Sequence, residues 1–353
     1  MPPTRTSHGR SFALLPRLTF GLPISLAFIA VLASCQTAAR RDDPAAAQTP
    51  APAVSAQAAP ARPSFDGARA FEHVRRVVEI GPRPAGSDEL KRAREYVIGE
   101  LSAAGMKVTT DEFTAQTPQG PRQMVNVTAE LPGKSPAVIV VAGHYDTKPV
   151  KEFRFVGAND GGSSTGALIE LARALKASGR EPEFTYWFAF FDGEEAFCKN
   201  WNDCSKPGQP DNTYGSRRYV STVERSRLRA LILLDMVGYK NLAIPREGYS
   251  TRWLTDIIWE TARSLGYGQY FTNSEEFAED DHFPFLRAGV PSVNLIQLSD
   301  YIDAGYWHTE QDTLDKVSPQ SLQIVGETVL ASLSRIEERL KREPQQPMLV
   351  PAR

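Results

Sequence analysis

The chain has 353 residues, 41% hydrophobic and 9% aromatic, an ordinary composition for a soluble globular protein and enough to bury a large single core. Its 40 Lys and Arg nearly balance 42 Asp and Glu, for a net charge of −2. That balance leaves no electrostatic footprint for nucleic acid and argues against nucleic-acid binding as the main function.

The amino terminus differs from the rest. Arg5, Arg10 and Arg17 flank or precede an apolar segment from Leu18 to Ala33, interrupted by Gly21 and Pro23, and no acid appears before Asp42. This is the pattern of an export signal, and the stretch is too short and broken for a spanning helix. It ends Leu32-Ala33-Ser34-Cys35, which resembles the lipobox of bacterial lipoproteins and implies removal of residues 1–34 and lipidation of Cys35. A plain cleaved signal with a chance cysteine is the alternative. Residues 35–64 are mostly Ala and Pro and read as an extended tether. A folded domain is expected over 65–342, with a tail at 343–353.

Within that domain, Asp66 caps a helix expected to run through Glu79, and Ser87 with Asp88-Glu89 opens a second through Ala104, stopped by Gly105. Lys107 to Phe113 and Gln123 to Leu131 alternate apolar with polar residues, as half-buried strands do. Val138 to Ala142 and Phe184 to Phe191 are unbroken apolar runs, suited to strands covered on both faces. Between them Ser163 to Ala177 carries a helical stripe, with Ser163 or Ser164 as its cap and Gly179 as its stop. Strand, helix, strand implies a crossover between parallel neighbours. Further helices are expected at Thr213 to Thr222, Thr251 to Leu265, Phe283 to Ala288 and Pro319 to Lys341. No internal repeat or second domain is visible.

Four apolar runs end in acids or imidazoles. Phe184 to Phe191 leads into Asp192-Gly193-Glu194-Glu195, Val138 to Ala142 into His144-Tyr145-Asp146, Leu231 to Leu234 into Asp235, and Tyr306-Trp307 into His308. In an open α/β sheet, functional groups gather beyond the carboxyl ends of the strands. Zinc accepts imidazole and carboxylate ligands, and His144, Asp160, Glu195, Asp235 and His308 supply them from separate segments. His73, on a predicted helix, reads as packed or surface rather than ligating. With Cys35 assigned to lipid, Cys198 and Cys204 are the remaining pair of the 3 cysteines, close enough to bridge in an oxidising compartment, with two free thiols as the alternative.

Taken in order, Gly143-His144-Tyr145-Asp146, Gly157-Ala158-Asn159-Asp160, Asp192-Gly193-Glu194-Glu195, Leu234-Asp235 and Trp307-His308-Thr309 resemble the zinc aminopeptidase family and its animal-type glutaminyl cyclase branch. The resemblance runs from about Phe65 to Leu340. It implies an α/β fold, a single domain whose mixed, mostly parallel central sheet is flanked by helices. Asp280-Asp281-His282-Phe283-Pro284-Phe285-Leu286, Trp201, Tyr214-Gly215-Ser216-Arg217 and Trp307 look like the cyclase pattern, where aminopeptidases tend to carry Ser-Asp-His. By that resemblance Asp160, Glu195 and His308 hold one zinc and Glu194 moves the proton. Asp235 and Asp280 form an acidic network beside it, and Trp201 and Trp307 wall the substrate pocket.

The implied reaction closes an N-terminal glutamine to pyroglutamate with release of ammonia. The α-amine attacks the residue's own side-chain amide, so the nucleophile is built in, and well-oriented intramolecular attack reaches effective molarities of about 10⁵ to 10⁸ M. One Lewis-acidic zinc suffices for this. Peptide hydrolysis would also have to activate water, and His144, Asp160 and Asp235 are the ligand types for a second ion, so a two-zinc aminopeptidase stands as the rival. A non-catalytic envelope binding module is the third reading, disfavoured because Asp160, Glu194, Glu195 and His308 are all kept. Two positions depart from the cyclase pattern: Asn294 stands where the animal enzymes tend to have a histidine, and the Cys198 to Cys204 loop is longer. Gly161, where aminopeptidases usually carry a second Asp, leans toward the cyclase. The expected partners are a peptide or protein N-terminus and, through the lipid, a membrane; the expected location is a bacterial cell envelope, facing the periplasm or exterior.

Overall fold

A computed structural model describes residues 64–342; the expected signal, Cys35, tether and tail lie outside them. Two helices open the fold, α1 (Gly67–Ile80) and α2 (Asp88–Ala103). Asp66 caps the first through the N–H groups of Ala68 and Arg69, and Ser87 caps the second through that of Leu90. Gly105, at φ +76°, turns the chain out of α2. The strands β1 (Lys107–Thr117) and β2 (Gly120–Leu131) are longer than the alternation suggested and form one antiparallel hairpin. The central strands follow as β3 (Ser135–His144), β4 (Phe184–Phe191) and β5 (Leu228–Asp235), with α3 (Gly162–Ala177) between the first two. The rest comprises α4 (Tyr214–Thr222), β6 (Ile244–Glu247), α5 (Arg252–Ser264), β7 (Phe271–Glu276), α6 (His282–Arg287), β8 (Ser292–Ile296), α7 (Ser299–Asp303) and α8 (Pro319–Arg342).

The sheet runs β1-β2-β4-β3-β5-β8. The hairpin joins β4 antiparallel, whereas β4, β3, β5 and β8 are parallel neighbours, giving the single α/β domain with a mixed, mostly parallel sheet that the resemblance implied. Alternation along β3 divides the core. Ile139 and Val141 face the side covered by α1, α2, α3, α5 and α8, while Val138, Val140 and Ala142 face Tyr219 and Val220 of α4 and Phe285 of α6. All five are fully buried, so Ile139→Ala would cost about 2–5 kcal/mol. Burial on both faces holds the parallel strands in register, and their carboxyl ends stop at one level. Among the described residues no helix is long and apolar enough to cross a membrane.

Several local expectations differ. Neither Ser163 nor Ser164 caps α3: both are buried inside its first turn, and their hydroxyls donate to the carbonyls of Asn159 at 2.6 Å and His144 at 3.1 Å. The capping position belongs to Gly161. Tyr306-Trp307 is not a strand end but a turn after α7, so His308 reaches the site from a loop. The short parallel pair β6 and β7 lacks a clear period, and in β8 a buried Asn294 interrupts the apolar run.

His73 is indeed packed rather than ligating. It is 6% exposed, with Nδ1 2.6 Å from the Tyr96 hydroxyl. Burial, reinforced by the charge of Arg69, lowers its pKa from the ordinary 6.5 to about 4. Between those values the unfolded chain takes up a proton that the folded chain refuses, so stability falls as pH drops across that interval, by about 3 kcal/mol in all. Urea unfolding of the chain and of His73→Phe at pH 7 and pH 4.5 measures this. The midpoint should fall less in the variant, and parallel losses would remove His73 from the account.

Candidate active site

Three parallel strands deliver the site. β3 ends at His144, β5 at Asp235, and the chain leaving β4 turns through Gly193, at φ +73°, to present Glu194 and Glu195. Asp146 fixes that turn, accepting from the N–H of Glu194 at 3.2 Å and of Glu195 at 3.4 Å. Asp160 sits on the loop before α3. Its neighbour Gly161 has φ +75°, and a Cβ there would lie 2.6 Å from the Asp146 carbonyl oxygen. His308, also at a left-handed φ of 52°, is held by Trp307 stacked at 3.9 Å and by the edge of Phe155 at 5.9 Å. A non-glycine residue in that region stores strain, a common mark of functional positions.

Two sets of ligand-type atoms converge. His308 Nε2 is 3.3 Å from both Asp160 Oδ2 and Glu195 Oε2. On the other side of the same aspartate, His144 Nε2 is 3.2 Å from both Asp160 Oδ1 and Asp235 Oδ1. The sets differ in how they are satisfied. Asp235 Oδ1 pairs with His144, whereas Asp160 Oδ2 and both Glu195 oxygens are buried with no hydrogen-bond partner. Buried carboxylate oxygens without donors are costly, and two carboxylates with an imidazole are a donor set that suits zinc. The residues therefore fit a metal ion at Asp160, Glu195 and His308. Burial works against a charged His308, but Glu195 and Asp160 raise its pKa to about 9, and a field that retains a proton there would equally favour a cation. A third group, Cys198, Cys204 and Asp211, cannot ligate through sulfur because the cysteines are bridged.

The remaining acids are crowded. Glu194 lies well above the ordinary carboxylate range, first through burial and then through the charges of Glu195, Asp280 and Asp281, against the pull of His144. Asp235 is pushed up to about 7 by burial, with Asp280 and Asp160 adding and His144 opposing. Burial also raises Asp280, whose carboxylate accepts from the Asn294 side-chain amide at 2.7 Å and the Asp281 N–H at 2.5 Å. Asp280 thus meets Glu194 and Asp235 through its field. The departure at Asn294 keeps a donor on Asp280.

Asp160, Glu194, Glu195, Asp235, Trp201 and Trp307 all line one cleft of about 250 Å³. Trp201 comes from the loop closed by the Cys198–Cys204 bridge, whose Cα atoms are 6.0 Å apart. That loop is tied down by Lys148 Nζ, which donates to the carbonyls of Ala196 at 2.9 Å and Cys198 at 3.2 Å.

Sequence reasoning missed three supports. Asp312 accepts from the N–H groups of Asn159 at 2.8 Å and Asp160 at 3.1 Å, fixing the Asp160 loop. Arg83, fully buried, donates to the carbonyls of Tyr145, Val156 and Gly157 at 2.5 to 3.0 Å, clamping the segment between His144 and Asp160. Lys148 is the third. Asp312 lies four residues after His308, a weak signal; Arg83, in Gly81-Pro82-Arg83-Pro84, reads as a turn.

Residues 126–333 match the family model for peptidase family M28. The chain belongs to that family. Within M28 its relatives point to one branch. A glutaminyl-peptide cyclotransferase-like protein from Bos taurus is 33% identical over 68% of this chain and 68% of its own length. Among solved structures, a glutaminyl cyclase from an Acidobacteriales bacterium superposes with a TM-score of 0.72 at 36% identity, over 83% of this chain and 100% of that one. A Zn-dependent exopeptidase from Parabacteroides distasonis superposes at 0.70 and 28% identity, over 77% and 99%. The motif resemblance and the expected fold are thereby met, and an M28 metal site of the zinc type is supported.

Because Asp312 holds the Asp160 backbone, Asp312→Ala should weaken metal binding by about 10- to 100-fold without unfolding the protein. Competition with a chelator, alongside a melting curve, measures this. Unchanged affinity would make Asp312 a purely structural residue.

Proposed function

We propose that this M28 protein is a glutaminyl-peptide cyclotransferase, converting the N-terminal glutamine of peptides and proteins to pyroglutamate with loss of ammonia. The observation that carries this reading is Glu194. It is a buried acid of raised pKa, beside a ligand trio with unsatisfied oxygens and at the base of a cleft with two indole walls.

Zinc bound by Asp160, Glu195 and His308 would supply a Lewis acid for the substrate's γ-carbonyl. The protein's own part is to hold the glutamine folded back on itself and to move one proton. Trp201 and Trp307 confine the side chain so that the α-nitrogen approaches its own Cδ. Glu194 takes a proton from that nitrogen as the new C–N bond forms, then returns it to the nitrogen leaving as ammonia. Asp235 and Asp280 keep that proton on offer, since like charges at close range raise one another's pKa.

One ion per chain is part of the proposal. Asp235 Oδ1 already has His144 as its partner, and Asp280 stands nearby, while the unpartnered oxygens belong to the other trio. The rival, a two-zinc aminopeptidase, draws on the convergence of His144, Asp160 and Asp235. We further propose that residues 1–34 are an export signal, that Cys35 carries lipid, and that residues 35–64 tether a catalytic domain over 65–342 to a cell-envelope membrane.

Purified protein should cyclise glutamine β-naphthylamide, bind one zinc per chain and leave leucine p-nitroanilide intact. Glu194→Gln should lower kcat by about 10² to 10⁴ while retaining the metal. Fast leucine release with two zinc ions would instead establish the aminopeptidase, and full activity in the variant would remove Glu194 from proton transfer.

A further inference from the structure

Asp160 and His308 reach the cleft from two separate loops, and neither ends a strand. A metal ion shared between them needs their separation set in advance, because loosely held ligands cost affinity. One residue touches the supports of both. Tyr301, on α7, is fully buried, and the proton transfer at Glu194 makes no use of its phenol.

Its first contact is a hydrogen bond. The Tyr301 hydroxyl donates to Asp312 Oδ1 at 2.6 Å. The same oxygen accepts from the Asn159 N–H at 2.8 Å, and Asp312 Oδ2 accepts from the Asp160 N–H at 3.1 Å. Both oxygens of Asp312 are therefore committed, and its carboxylate cannot rotate away from the Asp160 loop without also breaking the bond to the phenol. A hydroxyl donating to a buried carboxylate at that length is a strong bond. Burial, and after it the charge of Asp312, raises the Tyr301 pKa, so the phenol remains a donor.

Its second contact is with the turn that carries His308. The Tyr301 carbonyl accepts from the N–H groups of Tyr306 at 3.1 Å and Trp307 at 3.4 Å. Its ring meets Tyr306 edge-on at 5.5 Å and Tyr239 at 5.1 Å, and those two rings meet each other at 6.1 Å. Tyr301 and Tyr239 share a small apolar cluster with Met236, Ala278 and Ile296, three residues that line the cleft. Bracing is needed here, because His308 holds a left-handed φ of 52° that a non-glycine residue keeps only when its surroundings enforce it.

We infer that Tyr301 is a positioning residue that sets the Asp160 and His308 ligands against one another. Its hydroxyl holds Asp160 through Asp312, and its ring and carbonyl hold His308 through the Tyr306-Trp307 turn. Because Tyr301 acts on ligand geometry, its role is the same whether the M28 chemistry is cyclisation or hydrolysis.

Zinc affinity of the full chain, measured by competition with a chelator, tests both contacts, with melting curves as a check on folding. Tyr301→Phe keeps the ring and removes the hydroxyl, and should weaken zinc binding by about 10-fold. In an Asp312→Ala background the same change should cost nothing further, since the hydroxyl acts only through that carboxylate. Tyr301→Leu loses the ring as well. It should weaken zinc binding beyond Tyr301→Phe, and that additional loss should persist when Asp312 is replaced. A lowered melting temperature with unchanged zinc affinity in Tyr301→Phe would make Tyr301 a packing residue only. A loss that adds in full to that of Asp312→Ala overturns the link through Asp312, and equal affinities in Tyr301→Leu and Tyr301→Phe overturn the hold on His308.

Discussion

Everything in this site depends on negative charge gathered where water is scarce. Asp160, Glu194, Glu195, Asp235 and Asp280 are all at most 6% exposed, opposed by the imidazoles of His144, His282 and His308, the buried Arg83 guanidinium and the Lys148 ammonium, 3.8 Å from Glu195. In a low-dielectric interior such a cluster persists only if cations, donors or shared protons compensate it. The compensation is uneven. His144 answers Asp235, Asn294 answers Asp280, Asp312 fixes backbone, and Arg83 clamps backbone while its charge acts on Asp160 and Glu195. Both Glu195 oxygens and one oxygen of Asp160 remain without a hydrogen bond, and that imbalance is why the Asp160, Glu195 and His308 set fits a metal ion.

The fold makes that imbalance tolerable. The central residues of β3, β4 and β5 are apolar and packed on both faces, so the strand ends are positioned by core packing and not by the acids themselves. The polar groups stand at the boundary between a rigid sheet and the loops after it, the usual place for ligand sites in open α/β proteins. Loop residues are then stiffened one by one. Asp146 holds the Glu194-Glu195 turn, Arg83 the stretch after His144, and Lys148 the loop carrying Trp201.

How much of this could be read from the sequence follows from the range of the forces involved. Asp66 and Ser87 announce their helices because a cap is a local bond, and β3 and β4 are plain because burial on both faces demands unbroken apolar runs. Ser163 and Ser164 mislead because a serine before a helical stripe looks like a cap, whereas here the Ser163 hydroxyl donates back to the Asn159 carbonyl and that of Ser164 to the His144 carbonyl at the end of β3. β8 is hidden by Asn294, whose polarity makes sense only with Asp280, fourteen residues earlier and outside the sheet. Glu194, Glu195 and Asp235 were legible because they follow apolar runs, whereas Asp160 and Asp280 were legible through the motif resemblance. Arg83 and Asp312 were not, because nothing near them in the chain marks residues whose partners lie in other segments.

Gly161 bears on how chemistry can change within this architecture. With Asp146 O lying 2.6 Å from where a Cβ would stand, and the backbone already left-handed, no side chain can be introduced without displacing the loop that carries Asp160. A carboxylate at this position, which the motif resemblance associates with aminopeptidases, would therefore have to move that loop. The close approach of Gly161 to the Asp146 carbonyl is thus a steric constraint on this site, separate from the identity of its ligands.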